Sequence, residues 1–264
     1  MDAEPINPKD VLAGLNTQFI GRHILHFDSI STTMDAAHKA AKEGVVEGTI
    51  VLAEEQTAGR GRFGRSWITP KGSTIAISVV LRPHLPHLSK LNMVASLAVV
   101  RSIKSATYLK PLIKWPNDVL IQGRKVSGML IDSSMRGAEV EYAIVGIGIN
   151  VNLDVTRFAE ISSIATSLSS QLGREVSRLR VLQHLLREME ELYLMVRRNE
   201  PVHEEWQKYL ETLGKEIEVR WGGDEKARAD KGYAEAVDEN GNLLLRRSDG
   251  SLVTVVAGEV TLRS

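Results

Sequence analysis

The sequence predicts an α+β protein in which helices pack on a mixed β-sheet, followed by a small all-β barrel. Two observations predict it. Residues 34–42 are rich in alanine, and apolar residues recur at helical spacing over residues 88–106 and in a long segment that begins at Ser177. The β-branched segments between them do not alternate one to one with these helices, which favours a mixed sheet over a strictly parallel one.

The larger part of the chain contains the predicted sheet. Thr32 or Thr33 is suited to cap the helix at 34–42. Short apolar or alternating runs are typical of strands. They cover residues 49–54, 73–81, 111–118 (where a strand enters a turn), 125–131 and 140–151.

The character of the chain changes after Leu213. Four short segments read as strands, and two turns with Asn-Gly and Asp-Gly sequences separate the later ones. The strand segments are 215–220, 232–237, 243–247 and 252–257. We therefore predict two domains, one over residues 1–212 that contains the mixed sheet and a β-barrel over residues 213–264.

Composition excludes several classes of function. There is no cysteine, which excludes disulfides, zinc–thiolate sites and a cysteine nucleophile, and the histidines show no metal-binding spacing. Lys plus Arg and Asp plus Glu are both 33, so a dedicated nucleic-acid binder is not expected. No run approaches the ~20 apolar residues that span a membrane. We expect a cytoplasmic protein that binds neither DNA nor membrane and has no protein-bound metal site.

A loop rich in glycine and arginine is the most informative segment. Its glycines free the backbone amides to face an anion, and its arginines supply bidentate phosphate donors. The residues are Gly59, Arg60, Gly61, Arg62, Gly64 and Arg65. The segment 66–72 that follows is not helical, which argues against a dinucleotide fold. A solvated basic loop is the simpler alternative, and like charges predict a mobile loop when no anion is bound.

Three motifs in order resemble the signature of biotin protein ligases. They are Gly59-Arg-Gly-Arg-Phe-Gly-Arg65, Lys114-Trp-Pro-Asn-Asp118 and Arg124-Lys-Val-Ser-Gly-Met129. The segments 148–151 and 258–263 are also similar to the family, so the resemblance covers roughly residues 20–264. It implies biotin, ATP and Mg²⁺ as ligands, a biotinyl-adenylate intermediate and an SH3-like form for the barrel. It also implies the catalytic-only class, because the chain before residue 20 is too short for a DNA-binding domain.

The resemblance assigns a biotin site. The family has a Ser-Thr-Asn or Ser-Thr-Met turn against biotin, and this chain reads Thr32-Thr33-Met34. Ser31 precedes it, which leaves the register open by one residue. Gln56 matches the glutamine that contacts the ureido group of biotin.

The resemblance also assigns an adenylate site. Arg60, Gly61 and Arg62 match the adenylate-binding loop, and Lys125 matches the lysine at the activated carboxyl and phosphate. Further binding residues are expected at Gly59, Arg65, Trp67, Gly128 and Asn150.

The residues agree with this chemistry. Adenylation brings two anions together, so cations are needed where charge accumulates. Lys125, beside the small Gly128, fits that role, although a surface lysine is the alternative. Asp118 or Lys114 is a candidate to orient or deprotonate the acceptor amine, but Asp118 is equally suited to the turn after Pro116.

Several alternatives stay open at this point. Trp67 and Trp115 suit either the pocket or the core. Lipoate ligases and octanoyl transferases share a similar core, and a non-catalytic nucleotide- or RNA-binding module would use the same basic loop. The expected protein partner is the biotin carboxyl carrier domain of a biotin-dependent carboxylase. A homodimer is compatible with the sequence.

Overall fold

Two β-sheets organise the chain, and the computed structural model describes residues 5–221 and 229–262. The first sheet has seven strands in the order β1-β2-β3-β7-β6-β5-β4, all antiparallel except the β1–β2 pair. The strands are β1 Ile24–Phe27, β2 Ile50–Ala53, β3 Thr74–Leu81, β4 Leu112–Lys114, β5 Asp118–Ile121, β6 Arg124–Arg136 and β7 Glu139–Asn150. The predicted mixed sheet is confirmed.

Helices cover both faces of this sheet. They are α1 Pro8–Ala13, α2 Thr33–Lys42, α3 Leu85–Leu88, α4 Leu91–Thr107, α5 Leu168–Leu172, α6 Arg178–Arg197 and α7 Val202–Trp206. Side chains alternate between the two faces of a strand. On β2, Val51 belongs to the small apolar cluster that contains α2, whereas Ile50 and Leu52 join the larger core that contains α4 and α6. The sheet is therefore buried between α2 on one face and α4 with α6 on the other.

Local signals fix the helix starts. The Thr32 and Ser177 side chains accept hydrogen bonds from the first turns of α2 and α6, and satisfy amides that lack partners within the helix. The predicted helix over 88–106 begins later, at Leu91. A separate short helix with proline in its first turn precedes it, and residues 89–90 separate the two.

The strands β6 and β7 run further than the sequence predicts. They form one long hairpin that turns at Gly137, where φ is +62°. Asp132, Ser133 and Ser134 pair with β7 although their polar side chains break the apolar alternation that predicts a strand. Backbone pairing with a neighbouring strand decides the length here, since it does not depend on the side chain.

The tail forms a five-stranded antiparallel sheet in the order β11-β10-β9-β8-β12. Its strands are β8 Glu216–Arg220, β9 Ala229–Val237, β10 Leu243–Arg246, β11 Leu252–Val255 and β12 Glu259–Leu262. The two predicted turns hold Gly241 and Gly250 at φ +81° and +83°. No pairing joins β11 to β12 in the described residues, so the ladder does not close into the predicted barrel. These outer strands have only four residues each.

The tail sheet packs against the first sheet at its β4 edge. The buried Trp115 indole donates a hydrogen bond to the Gly241 carbonyl, and the Trp115 amide donates one to Thr212 Oγ1. Residues 222–228, between β8 and β9, and Arg263 of the predicted motif lie outside the described residues. A domain boundary at residue 213 stays a prediction. None of the described helices has both the length and the hydropathy of a membrane span.

Candidate active site

A cavity of about 850 Å³ brings together segments that are far apart in sequence. Its wall includes all but one of the sequence-predicted site residues. These are Thr32, Thr33, Met34, Gln56, Arg60, Gly61, Arg62, Arg65, Trp67, Lys114, Asp118, Lys125, Gly128 and Asn150. The exception is Gly59, where a Cβ atom would stand 2.4 Å from the Trp67 carbonyl oxygen. Gly59 therefore allows a close backbone approach and does not line the cavity.

The first turn of α2 and the end of β2 form a polar cluster in the wall. The Gln56 Oε1 atom accepts hydrogen bonds from the Thr33 amide at 2.8 Å and from Thr33 Oγ1 at 3.1 Å. The Gln56 side-chain Nε2 atom donates to Thr69 Oγ1 at 3.1 Å. Thr32, Thr33 and Met34 line the cavity and Ser31 does not, which favours Thr32-Thr33-Met34 as the register of the predicted biotin contact.

Two glycines on β7 form the floor of the cavity. A Cβ atom at Gly148 would lie 2.3 Å from the Trp67 indole, and one at Gly146 would lie 2.5 Å from the Met34 sulfur. Real Cβ atoms do not approach other atoms so closely. Trp67 and Met34 therefore lie directly on the backbone of the sheet, and Trp67 is in the cavity wall rather than the core.

Lys125 and Asp118 form an ion pair inside the cavity. The Lys125 ammonium lies 2.7 Å from Asp118 Oδ1 and 5.4 Å from the centre of the Trp67 ring. A β-bulge between Val119 and Leu120 shifts the β5–β6 register between the two charged residues. Gly128 leaves room for the lysine, since a Cβ atom there would stand 2.9 Å from Lys125 Cε. Lys125 is therefore not an unattached surface lysine.

Two arginines of the glycine–arginine loop are held by the far edge of the sheet and by the tail. Arg62 donates to Asn117 Oδ1 at 2.8 Å and to the Gly258 carbonyl at 3.1 Å. Burial lowers the pKa of Arg62. Arg65 makes a bidentate pair with Glu259 at 2.6 and 2.7 Å. The hydrogen bond from Arg65 lowers the pKa of Glu259, and the same bond raises the pKa of Arg65.

The third arginine is held by α2. Arg60 donates to Asp35 Oδ1 at 2.5 Å. The prediction of a mobile loop assumes that only a bound anion balances the charge of its arginines. In the structure two carboxylates distant in sequence, Asp35 and Glu259, already balance part of that charge. Whether the loop moves stays a prediction.

Two further residues have defined positions. Asn150 is buried and donates to the Thr166 carbonyl at 3.0 Å, which ties the end of β7 to the following segment. Lys114 lines the cavity, and its side chain has no hydrogen bond or ion pair within residues 5–221 and 229–262. Lys114 is therefore available to a ligand anion.

Sequence reasoning misses part of the wall. Residues 160–165 form one side of the cavity, and the Lys125 amide holds them by donating to the Ile164 carbonyl at 2.9 Å. Single glycines inside a strand indicate that another group approaches the backbone closely, and that signal could have identified Gly146 and Gly148. No sequence signal links Asp35 or Glu259 to the loop, since their contacts exist only in the folded chain. These two residues are the main omissions.

Family models match most of the chain. The Biotin/lipoate A/B protein ligase family matches residues 26–150, and the Biotin protein ligase C terminal domain matches residues 212–263. The chain is 36% identical over 250 residues to the bifunctional ligase/repressor BirA of Bacillus subtilis, covering 93% of this chain and 76% of that protein.

A second relative and a solved structure point to the same family. The chain is 31% identical over 237 residues to the biotin--[acetyl-CoA-carboxylase] ligase of Mycobacterium tuberculosis, covering 87% of this chain and 85% of that protein. The fold matches a biotin protein ligase from Aquifex aeolicus solved with biotin and ATP. The TM-score is 0.76 at 28% identity, over 92% of this chain and 99% of that one. The sequence matches, the fold and the residues that line the cavity all point to one family, and the chain belongs to the biotin protein ligase family.

Proposed function

We propose that this chain activates biotin with ATP to form biotinyl-5′-AMP and then transfers the biotinyl group to a lysine of a carrier protein. One observation carries the proposal. A single cavity holds a polar cluster suited to a small acid, a Lys125–Asp118 pair and a loop with three arginines. Its volume, about 850 Å³, lies in the upper part of the range for ligand pockets, which suits two ligands held together.

In the first step the biotin carboxylate oxygen attacks the α-phosphorus of ATP, and pyrophosphate leaves. Negative charge accumulates between the two anions, where a cation lowers the barrier most. Lys125 supplies that cation, and Asp118 holds its ammonium in place at 2.7 Å. Arg62 and Arg65 lie on the side of the cavity next to the tail, where they can hold phosphate oxygens.

In the second step the carrier amine attacks the acyl carbon, AMP leaves and the amine loses a proton. Asp118 is one of the carboxylates that line the cavity, and we assign it to orient that amine or to take the proton. Lys114 remains a second candidate for orienting it. An acyl-adenylate is open to hydrolysis until the amine arrives, so the loop over the cavity must also exclude water.

Magnesium would enter with ATP. The residues fit such an ion, because Mg²⁺ at nucleotide sites is held by phosphates with one or two carboxylates. Glu211 lines the cavity, and its Oε2 atom has no hydrogen-bond partner among the described residues, so it would supply one ligand. When bound, the ion would offset charge on the phosphates. In the described part of the chain, no three histidine or acidic side chains are grouped to hold a metal by themselves.

The carrier domain of a biotin-dependent carboxylase is the proposed acceptor, and the cytoplasm, where ATP is available, is the proposed location. The main alternative is a ligase or transferase for lipoate or octanoate, since one family model covers both groups. The match to a biotin ligase C-terminal domain favours biotin. So does the Thr33–Gln56 cluster, because its polar atoms can exchange hydrogen bonds with a ureido group, which an alkyl chain lacks.

Pyrophosphate exchange tests the proposal. The chain is incubated with ATP, Mg²⁺ and labelled pyrophosphate, and with biotin, lipoate, octanoate or no acid. We expect label to enter ATP when biotin is the added acid, and not with lipoate, octanoate or no acid. We also expect biotin to appear on one lysine of an added carrier domain. Exchange with lipoate or octanoate but not biotin would favour the alternative. No exchange with any acid would exclude ligase chemistry of this kind and favour a nucleotide-binding module.

A further inference from the structure

Asp35 joins α2 to the glycine–arginine loop although it does not itself line the cavity. It stands in the first turn of α2, directly after Thr32, Thr33 and Met34, which do line the cavity. The same turn of helix therefore shapes the polar cluster and holds Arg60 by a charged hydrogen bond of 2.5 Å.

We propose that Asp35 is a positioning residue for Arg60, one that keeps the start of the loop closed over the cavity and slows escape of the acyl-adenylate. The inference rests on the proposed function for its ligand. Asp35 acts through Arg60, which lines the cavity, and makes no contact with the reacting atoms itself.

The attachments of the loop support this role. Arg62 and Arg65 fasten its later part to the tail through Gly258 and Glu259. The Arg60 side chain has no hydrogen bond or ion pair other than that to Asp35 within residues 5–221 and 229–262. Without Asp35, the loop keeps its attachment to the tail and loses the side-chain attachment to α2.

The backbone around Arg60 is paired within the loop. An antiparallel bridge joins Arg60 to Ser66, with the Gly61 amide donating to the Arg65 carbonyl at 2.7 Å and the Trp67 amide donating to the Gly59 carbonyl at 2.9 Å. These bonds hold the loop to itself and not to α2, so the Asp35 contact adds an attachment that the backbone of the loop does not supply. The pair is half-exposed, with Arg60 at 46% and Asp35 at 60%, so its effect is modest. Exposed ion pairs of this kind shift an equilibrium by about two- to fivefold.

A purely structural role for Asp35 is the competing explanation. A carboxylate in the first turn of a helix interacts favourably with the helix dipole. Removal of Asp35 would then weaken α2 whatever stands at position 60. A positioning role predicts the opposite, namely that Asp35 has no further effect once the Arg60 guanidinium is gone. The two explanations are separated by comparing Asp35→Ala in the native chain and in an Arg60→Gln background.

The experiment uses the full chain and a matched control. Asp28→Ala removes an exposed aspartate shortly before α2 that makes no hydrogen bond or ion pair among the described residues. The first measurement is the rate of brief trypsin cleavage after Arg60 without ligands. The second is the rate at which labelled biotinyl-adenylate leaves the enzyme. We expect Asp35→Ala to raise both rates about two- to fivefold. Asp28→Ala should leave both unchanged, and Asp35→Glu should restore part of the effect.

Two results would overturn the proposal. One is an Asp35→Ala chain that matches the native rates in both measurements. The other is an equal increase in adenylate loss in the native and Arg60→Gln backgrounds, which would assign Asp35 to helix stability alone. A native chain that makes no adenylate from biotin would refute the proposed function instead. The cleavage comparison would still decide whether Asp35 holds Arg60.

Discussion

Replacement of Lys125 by alanine separates catalysis from stability in this chain. The ammonium is 2.7 Å from Asp118, and the two side chains are 32% and 24% exposed. Two unit charges about 4 Å apart at an effective dielectric of about 20 interact by about 4 kcal/mol, which is the scale of help that a cation gives a reacting anion. Removal of single groups that stabilise transition-state charge lowers kcat by about 10²–10³. We expect adenylate formation to fall by at least about 100-fold.

Stability should respond far less. A partly exposed ion pair contributes about 0–1 kcal/mol, since water screens the charges and the side chains lose freedom on pairing. The unfolding free energy of Lys125→Ala, measured with urea, should therefore lie within about 1 kcal/mol of the native value. The substitution is thus expected to lower the rate of adenylate formation strongly while leaving the unfolding free energy nearly unchanged.

The assay is biotin-dependent pyrophosphate exchange at saturating ATP, with Arg124→Ala as the control. Arg124 is the exposed neighbour of Lys125 on β6 and carries the same charge. Arg124→Ala should keep nearly all of the activity. A folded Lys125→Ala chain that exchanges pyrophosphate within tenfold of the native rate, or an equal loss in both variants, would refute the reasoning.

Three further outcomes are expected. Gly148→Ala places a Cβ atom against the Trp67 indole and should destabilise the chain by about 1–3 kcal/mol in urea unfolding; an unchanged midpoint would contradict the close approach. Arg62→Gly removes the bonds of this arginine to Asn117 and to the tail and should let adenylate escape, so that lysines of an unrelated protein are labelled; labelling at the native background would count against this. Because Arg65 lowers the pKa of Glu259, the stability that the pair provides is complete above the ordinary carboxyl pKa of about 4.3 and is lost as the pH falls through the lower folded value. The melting-temperature difference between the native chain and Glu259→Gln should thus be constant from about pH 8 to 5 and vanish in stronger acid; a difference that persists there would oppose it.

The sequence predicts those elements whose signals are local. The α2 helix follows from its alanine content and the capping residue Thr32, and α6 follows from apolar periodicity and a start at Ser177. The sequence does not predict the full length of the β6–β7 hairpin, because polar residues extend it through backbone pairing. It predicts a small β-barrel in the tail but not that the ladder of described strands stays open between β11 and β12, since closure depends on contacts between strands far apart in sequence.

The same distinction holds for the candidate site. Lys125 and the glycine–arginine loop are found from their motifs, because residue type and spacing express the chemistry directly. Asp35 and Glu259 are not found, since each is an ordinary surface-type residue until the fold brings it to an arginine. Residue type and spacing therefore indicate which groups line the cavity, and only the fold indicates which groups hold them in place.

The attachment of the loop to the tail has a thermodynamic consequence. Arg62 and Arg65 each have a bond to β12 or to the residue before it, so the loop and the tail sheet share their contacts. Coupling between two binding events is reciprocal. If docking of the tail helps the loop retain an adenylate, then a bound adenylate must hold the tail in its docked position by the same factor. Hydrogen exchange of the tail amides would then slow on ligand binding, including amides of β10 and β11, which do not line the cavity.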